Sequence, residues 1–154
     1  MIKFHLLVAS AGGIGYVGKG GGTIAAVVYC IIWFLLPVGF NETYWQVLST
    51  IIIIFAGIWS SNEAHGVWGK DNSKVVIDEI AGMAIALLYV PHDILYVFVS
   101  LIAFRFFDIV KPLGVRKAES LPRGWGVMAD DILAGIYALI IVQMLTLVAH
   151  NSAK

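Results

Sequence analysis

Long apolar stretches constrain what this chain can fold into more than any other feature. Three of them reach the lower limit of about 17 residues for a helix that crosses a hydrocarbon core, at residues 23–39, 44–60 and 132–149. A fourth apolar region, 80–109, is interrupted by Pro91-His92-Asp93, which is a turn signal and favours two helices with a tight connection. With Pro37 and Asn41-Glu42 marking the first turn, the sequence predicts an all-α membrane bundle of five transmembrane helices.

Composition supports a bilayer as the solvent and limits the function classes. Of the 154 residues, 60% are hydrophobic and 13% are charged, and the mean hydropathy is +0.88. In water such a chain would expose too much apolar surface, so we expect one membrane-embedded domain over residues 1–154. The formal net charge of zero provides no basic field for nucleic acid. The single cysteine, Cys30, can form no intramolecular disulfide.

Charge placement predicts the orientation of the five spans. With five crossings, nine of the ten cations fall on one side of the membrane, namely Lys3, Lys19, Lys70, Lys74, Arg105, Lys111, Arg116, Lys117 and Arg123. Only Lys154 falls on the other side, whereas a four-span arrangement loses this asymmetry. Because cytoplasmic loops carry the excess of Lys and Arg, we expect a cytoplasmic N-terminus and an external C-terminus.

Half of the ten acidic residues lie at the edges of apolar segments, at Asp78, Glu79, Asp108, Asp130 and Asp131. The five-span topology places all of them at the cytoplasmic boundary. Carboxylates beside hydrocarbon are costly without a compensating partner, so a functional site is the favoured interpretation. The alternative for Asp78 and Asp130 is a helix N-cap, although each position supplies two acids where a cap needs one.

Five converging carboxylates would repel one another, and a divalent cation would relieve the repulsion. Ligands that are all oxygen atoms suit Mg²⁺, with Mn²⁺ as a second candidate. The four histidines are scattered and do not have zinc-ligand spacing. We therefore predict that the five acids supply metal ligands and catalytic groups.

A cationic group accompanies the acids. Arg105, Asp108 and Lys111 are spaced three apart, which places them on one helix face. An internal salt-bridge ladder would explain this spacing, but a guanidinium inside an apolar run also suits phosphate recognition, with Lys111 and Arg116 as further cations.

Seven of the sixteen glycines lie between Gly12 and Gly22, around Lys19 and just before Thr23. Backbone N–H groups in such a loop can face an anion, which makes Lys19 and Thr23 candidate phosphate-binding residues. A flexible linker is the alternative. Metal-binding acids next to cations at a membrane surface predict metal-assisted hydrolysis of a phosphorylated lipid. Attack by water and attack by an aspartate through a phosphoenzyme are both compatible with these residues.

Three motifs resemble the phosphatidylglycerophosphatase A family: KDNSKVVIDEIAG at 70–82, FRFFDIVKP at 104–112 and RGWGVMADDILAG at 123–135. The resemblance runs from about residue 12 to residue 147. It implies Mg²⁺-dependent hydrolysis of phosphatidylglycerophosphate to phosphatidylglycerol and inorganic phosphate, at the cytoplasmic face of a bacterial inner membrane. The matching positions are Asp71, Asp78, Glu79, Arg105, Asp108, Lys111, Pro112, Arg116, Gly124, Gly126, Asp130 and Asp131.

The N-terminal stretch departs from the family form, which carries a Pro-Gly-Thr turn followed by Gly-Ser. Here residues 18–23 read GKGGGT, without the proline and with Thr23 in the place of the serine. A phosphatase of another lipid or isoprenoid phosphate is therefore one alternative, and a divalent-cation carrier is an alternative from a different class. Small residues at Gly82, Ala86 and Gly135 predict close helix packing, within one chain or between chains.

Overall fold

The computed structural model describes residues 3–40, 44–69, 72–112, 114–118 and 120–152, and these residues form helices and no strands. The α-helices are α1 (Phe4–Ala9), α2 (Gly21–Leu35), α3 (Tyr44–Trp68), α4 (Ile77–Ala86), α5 (Ile94–Val110), α6 (Val115–Ala118) and α7 (Gly124–Ser152). Short 3₁₀ segments cover Ala11–Val17 and Val38–Phe40. The expected turn at Asn41-Glu42, together with Lys70, Asp71 and Lys154, lies outside the described residues.

Among the described residues, two helices are long and apolar enough to cross a membrane, α3 with 25 residues and α7 with 29. Large apolar side chains point outward from both, including Ile52 and Phe55 on α3 and Met144 and Leu147 on α7. An apolar surface of this kind suits contact with lipid rather than water. The described part of the chain is therefore all-helical and contains two candidate membrane-spanning helices.

The remaining apolar helices are shorter than the expected spans. At 1.5 Å per residue, α2 and α5 extend about 22 and 26 Å, and α4 extends only about 15 Å, half of a hydrocarbon core of about 30 Å. Helix α4 contacts α2, α3, α5 and α7, and residues 81–87 are all buried. The helix at the centre of the bundle is therefore surrounded by protein rather than by lipid.

The end of α4 is stabilised by two glutamine side chains. Gln46 on α3 donates from Nε2 to the carbonyl of Leu87 at 2.6 Å and accepts from the backbone N–H of Tyr89 at 3.1 Å. Gln143 on α7 donates to the carbonyl of Leu88 at 2.9 Å. Backbone groups released by a helix end inside an apolar bundle need such partners, so these amides allow α4 to end at this depth.

Helices α4 and α7 approach so closely that their backbones touch. A Cβ atom added to Gly135 would overlap the carbonyl oxygen of Gly82, and one added to Gly82 would lie 2.7 Å from the carbonyl oxygen of Asp131 and overlap the ring of Phe104. The close packing predicted for Gly82 and Gly135 is thus confirmed, and it occurs within one chain. The contact fixes the relative position of the two helices that carry four of the five acids.

Replacement of Gly135 by alanine is expected to destabilise the bundle, because the new methyl group would meet backbone atoms that cannot move aside. Overpacking of this kind costs about 1–3 kcal/mol. Gly66→Ala on α3 is the matched control, since a Cβ there meets nothing within 4 Å and alanine has the higher helix propensity. Thermal unfolding in detergent should give a lower midpoint for Gly135→Ala than for Gly66→Ala. Equal midpoints would contradict the backbone contact.

Candidate active site

A cavity of about 200 Å³ brings all five predicted acids together. It lies between the start of α4, the end of α5 and the first turns of α7. Its lining consists of Asn72, Ser73, Val75, Asp78, Glu79, Asp108, Lys111, Val127, Asp130 and Asp131. Acids far apart in sequence, on three helices, thus form one polar site.

Three of the acids form a tight cluster, which we call the carboxylate triad. Asp78, Glu79 and Asp131 each offer an oxygen atom, and these oxygens all lie within 4.8 Å of one another. Within the described part of the chain, the buried atoms Oδ1 of Asp78 and Oε2 of Glu79 have no hydrogen-bond partner. Carboxylates in this arrangement repel one another, and shared coordination of a divalent cation would turn the repulsion into attraction.

The other two acids are neutralised by cations of the protein itself. The Nζ atom of Lys111 lies 2.6 Å from Oδ2 of Asp130, and Nη1 of Arg105 lies 2.6 Å from Oδ2 of Asp108. The site therefore divides into the carboxylate triad and two ion pairs. The Arg105–Asp108 pair corresponds to the salt-bridge alternative that the sequence spacing allowed.

The spacing predicted that Lys111 lies on the same helical face as Arg105 and Asp108, and in the structure it does not. It is the C-cap of α5 and has a left-handed backbone with φ of 48°. The helix ends there, directly before Pro112, which cannot donate a backbone hydrogen bond. Because the chain turns at this residue, the Lys111 side chain reaches α7 and donates to Asp130 instead.

Arg105 is largely enclosed, with 20% of its side chain exposed. Its guanidinium Nε is buried and has no hydrogen-bond partner among the described residues. An unused donor next to an acidic cavity is compatible with the predicted contact to phosphate, which stays a prediction.

Neither acid pair acts as a helix cap. Helix α4 begins at Ile77, with Val76 as N-cap and no side-chain cap hydrogen bond. Helix α7 begins at Gly124, earlier than the apolar run at 132, so Asp130 lies inside the helix. The backbone N–H of Gly124 donates to Oδ1 of Asn62 on α3 at 2.9 Å, which satisfies the start of α7. The capping alternative for Asp78 and Asp130 is therefore wrong.

The glycine-rich stretch reaches the site through one contact. A Cβ atom on Gly22, in the first turn of α2, would overlap the carboxylate of Glu79. The absence of a side chain at Gly22 thus makes room for a member of the triad. Lys19 and Thr23 are exposed and are not among the residues that line the cavity, and the same holds for Arg116 on α6.

The segment before α4 contributes cavity residues that sequence reasoning did not select, Asn72 and Ser73. Asn72 donates to the carbonyl of Trp68 at 3.0 Å and accepts from the N–H of Lys74 at 3.1 Å, which fixes the turn. The N–H of Val76 donates to the carbonyl of Ala9 at 2.9 Å, so the N-terminal helix α1 supports this segment. The position of Asn72 and Ser73 in the motif at 70–82 is the feature of the sequence that could have identified them as site residues.

Comparisons with known proteins show what the chain is similar to. A model of the family described as phosphatidylglycerophosphatase A matches residues 7–146. A protein of Bacteroides thetaiotaomicron named "Putative phosphatidylinositol-3-phosphatase" is 43% identical over 131 residues, which are 82% of this chain and 81% of the relative.

Two further relatives are named phosphatidylglycerophosphatase A. The protein from Haemophilus influenzae is 29% identical over 140 residues, 90% of this chain and 85% of its own length. The protein from Escherichia coli is 30% identical over 140 residues, 86% of this chain and 77% of its own length. No solved structure matches the chain.

Proposed function

Because the chain belongs to the phosphatidylglycerophosphatase A family, we propose that it hydrolyses phosphatidylglycerophosphate to phosphatidylglycerol and inorganic phosphate. Its relatives identify it as a membrane-associated phosphatase of phospholipid metabolism. The observation that carries the proposal is the carboxylate triad, next to two acid–cation pairs at the ends of apolar helices. Hydrolysis of a lipid phosphomonoester needs both parts of such a site, carboxylates that hold a metal ion and cations that bind the phosphate.

We propose that Asp78, Glu79 and Asp131 hold Mg²⁺, or Mn²⁺ in its place. The donor set fits the ion, since it consists of carboxylate oxygens within 4.8 Å of one another. Asp78 and Glu79 also each have a buried carboxylate oxygen without a hydrogen-bond partner among the described residues. When bound, the ion would supply positive charge to the phosphoryl oxygens and lower the pKa of a coordinated water. Asp108 and Asp130 would then be available as proton acceptors.

The cations of the two ion pairs are the proposed phosphate ligands. Lys111 lines the cavity and provides a compact positive charge, and Arg105 provides the buried Nε donor. Lys19, Thr23 and Arg116, which are exposed, are proposed to contact the lipid headgroup outside the cavity.

In the proposed hydrolysis, a water oxygen forms a bond to phosphorus, the bond between phosphorus and the lipid oxygen breaks, and that oxygen takes up a proton. In this route Asp130 or Asp108 accepts the proton of the attacking water and then donates a proton to the lipid oxygen that leaves. Attack by an aspartate, followed by hydrolysis of the phosphoenzyme, fits the same residues.

We propose that the site faces the cytoplasm of a bacterial inner membrane, with five crossings and α4 as a short central one. The bias of nine cations to one side supports this orientation. The burial of residues 81–87 supports the short crossing, because a helix enclosed by others need not match the thickness of the bilayer.

A phosphoinositide is the second candidate substrate. The relative at 43% identity carries the name of a phosphatidylinositol-3-phosphatase. Both lipids carry a phosphomonoester on a headgroup that a phosphodiester joins to diacylglycerol, so the same catalytic residues would serve either one.

Purified full-length protein in detergent should release phosphate from phosphatidylglycerophosphate in Mg²⁺ and lose this activity in excess chelator. Asp131→Asn should remain folded and be inactive, because it removes one charged member of the triad. Phosphatidylinositol 3-phosphate and an isoprenoid monophosphate are tested in parallel at equal concentrations. Faster release from either of these would replace the favoured substrate, and full activity in chelator would exclude the metal.

Gly22→Ala should reduce phosphate release with little effect on the thermal midpoint. The added methyl group would displace the flexible Glu79 carboxylate, and a misplacement of about 1 Å can reduce a rate about 100-fold. Gly21→Ala is the matched control in the same helical turn, since its Cβ would have ordinary contacts of 3.5 Å or more. Equal activity of the two variants would show that Glu79 need not lie against Gly22.

The orientation predicts that a cysteine at Asn151, in a Cys30→Ser background, reacts with a membrane-impermeant maleimide in spheroplasts. Asn151 lies near the end of α7 and is exposed. A cysteine at Lys117, exposed on α6, should react only after permeabilisation. The reverse pattern would overturn the cytoplasmic placement of the site.

A further inference from the structure

An apolar groove of about 480 Å³ runs between α2 and α5. Its floor includes Cys30 and Val97, which are buried, and Ile31 and Phe98 at its sides are exposed. Its lining is aliphatic, aromatic and thiol side chains. It lies on the opposite half of these helices from the acidic cavity.

On α5 the groove continues toward the site in a regular stripe. Ile94, Phe98 and Leu101 line it, and the same three-to-four-residue spacing leads on to Arg105 and Asp108. Asp108 lines the acidic cavity. The stripe therefore passes from hydrocarbon-like side chains to charged ones along one helix face.

On α2 the corresponding stripe is Phe34, Ile31 and Val27, and one turn further lies Thr23 in the first turn of the helix. Gly22 in that turn contacts the Glu79 carboxylate. Both walls of the groove thus lead to the carboxylate triad or its neighbours.

The depth of the groove matches that of a lipid chain. At 1.5 Å per residue, Leu101 and Ile94 lie about 10 and 21 Å along α5 from Asp108, whereas one leaflet of hydrocarbon is about 15 Å deep. A lipid with its phosphate at Asp108 would have its acyl chains at the level of the groove.

We infer that the α2–α5 groove binds one acyl chain of the lipid whose phosphate the enzyme removes. This inference rests on the proposed lipid phosphatase activity. An acyl chain that enters the groove exchanges the hydrocarbon of the bilayer for apolar side chains. The groove therefore contributes little to the affinity for the lipid. It aligns the lipid so that the phosphate enters the acidic cavity, and it makes the enzyme selective for long acyl chains.

The test compares dioleoyl and dihexanoyl phosphatidylglycerophosphate, since a six-carbon chain can occupy only a small part of the groove. Val27→Trp, which fills the groove, should lower kcat/KM for the dioleoyl lipid about tenfold and change the value for the dihexanoyl lipid less than about twofold. Val28→Trp is the matched control, because Val28 is also half-buried on α2 but lies on the stripe of the exposed residues Ile24 and Ile32. It should keep the wild-type ratio.

If Val27→Trp does not fold, Leu101→Trp replaces it, with the exposed neighbour Ile102→Trp as its control. An unchanged chain-length ratio in the folded groove variant, or an equal loss on both lipids, would overturn the inference. Wild-type activity on the dihexanoyl lipid reports separately on the proposed function. If the wild type cleaves phosphatidylinositol 3-phosphate instead, the same pair of chain lengths is used with that headgroup.

Photolabelling of the wild type gives a readout that needs no variant. Phosphatidylglycerophosphate with a diazirine on one acyl chain should label residues 27–35 and 94–101, and excess dioleoyl phosphatidylglycerophosphate should prevent the labelling. A phosphatidylcholine with the same diazirine should label these segments weakly. Equal labelling by both lipids would show that the groove holds only bulk lipid and would overturn the inference.

Discussion

The contact between Gly82 and Gly135 determines most of the site. Asp78 and Asp131 each lie four residues before one of these glycines, so each side chain lies on the contact face, one turn from the crossing. Side chains tilt toward the N-terminus of a helix, which directs both carboxylates to the same end of the contact. Larger residues at the crossing would separate the helices, and the oxygens of the triad would no longer lie within 4.8 Å of one another.

The five acids of the site have two kinds of electrostatic surroundings. Asp108 and Asp130 have ion-pair partners in Arg105 and Lys111, and such pairs offset the cost of removing a charge from water. The three carboxylates of the triad face one another instead, with Gly22 leaving space for Glu79. An arrangement that stabilises the folded chain little by itself is typical of a site built for a ligand, here the proposed Mg²⁺ and phosphate.

The sequence predicted the features that depend on local pattern. These include the break at Pro91-His92-Asp93 and the close packing at Gly82 and Gly135, and the alternation of the spans also predicted the convergence of the five acids. It did not predict contacts between distant segments, such as Asn62 with Gly124 at the start of α7 or Gly22 with Glu79. Lys111 shows the reason: Pro112 indicates in the sequence that the helix ends, but not that the side chain of Lys111 then reaches Asp130 on α7.

With a catalytic cavity and a separate groove for the acyl chain, as proposed, enzymes could have the same catalytic residues and still differ in substrate. A cavity of about 200 Å³ is large enough for a phosphate and its immediate ligands, so most of a headgroup would lie outside it. Acyl chains are common to phosphatidylglycerophosphate and phosphoinositides and cannot distinguish them. Discrimination would then depend on exposed residues such as Lys19, Thr23 and Arg116. The departure from the family form at residues 18–23 lies in this region, where it would alter the choice of headgroup without changing the carboxylates that are proposed to act in hydrolysis.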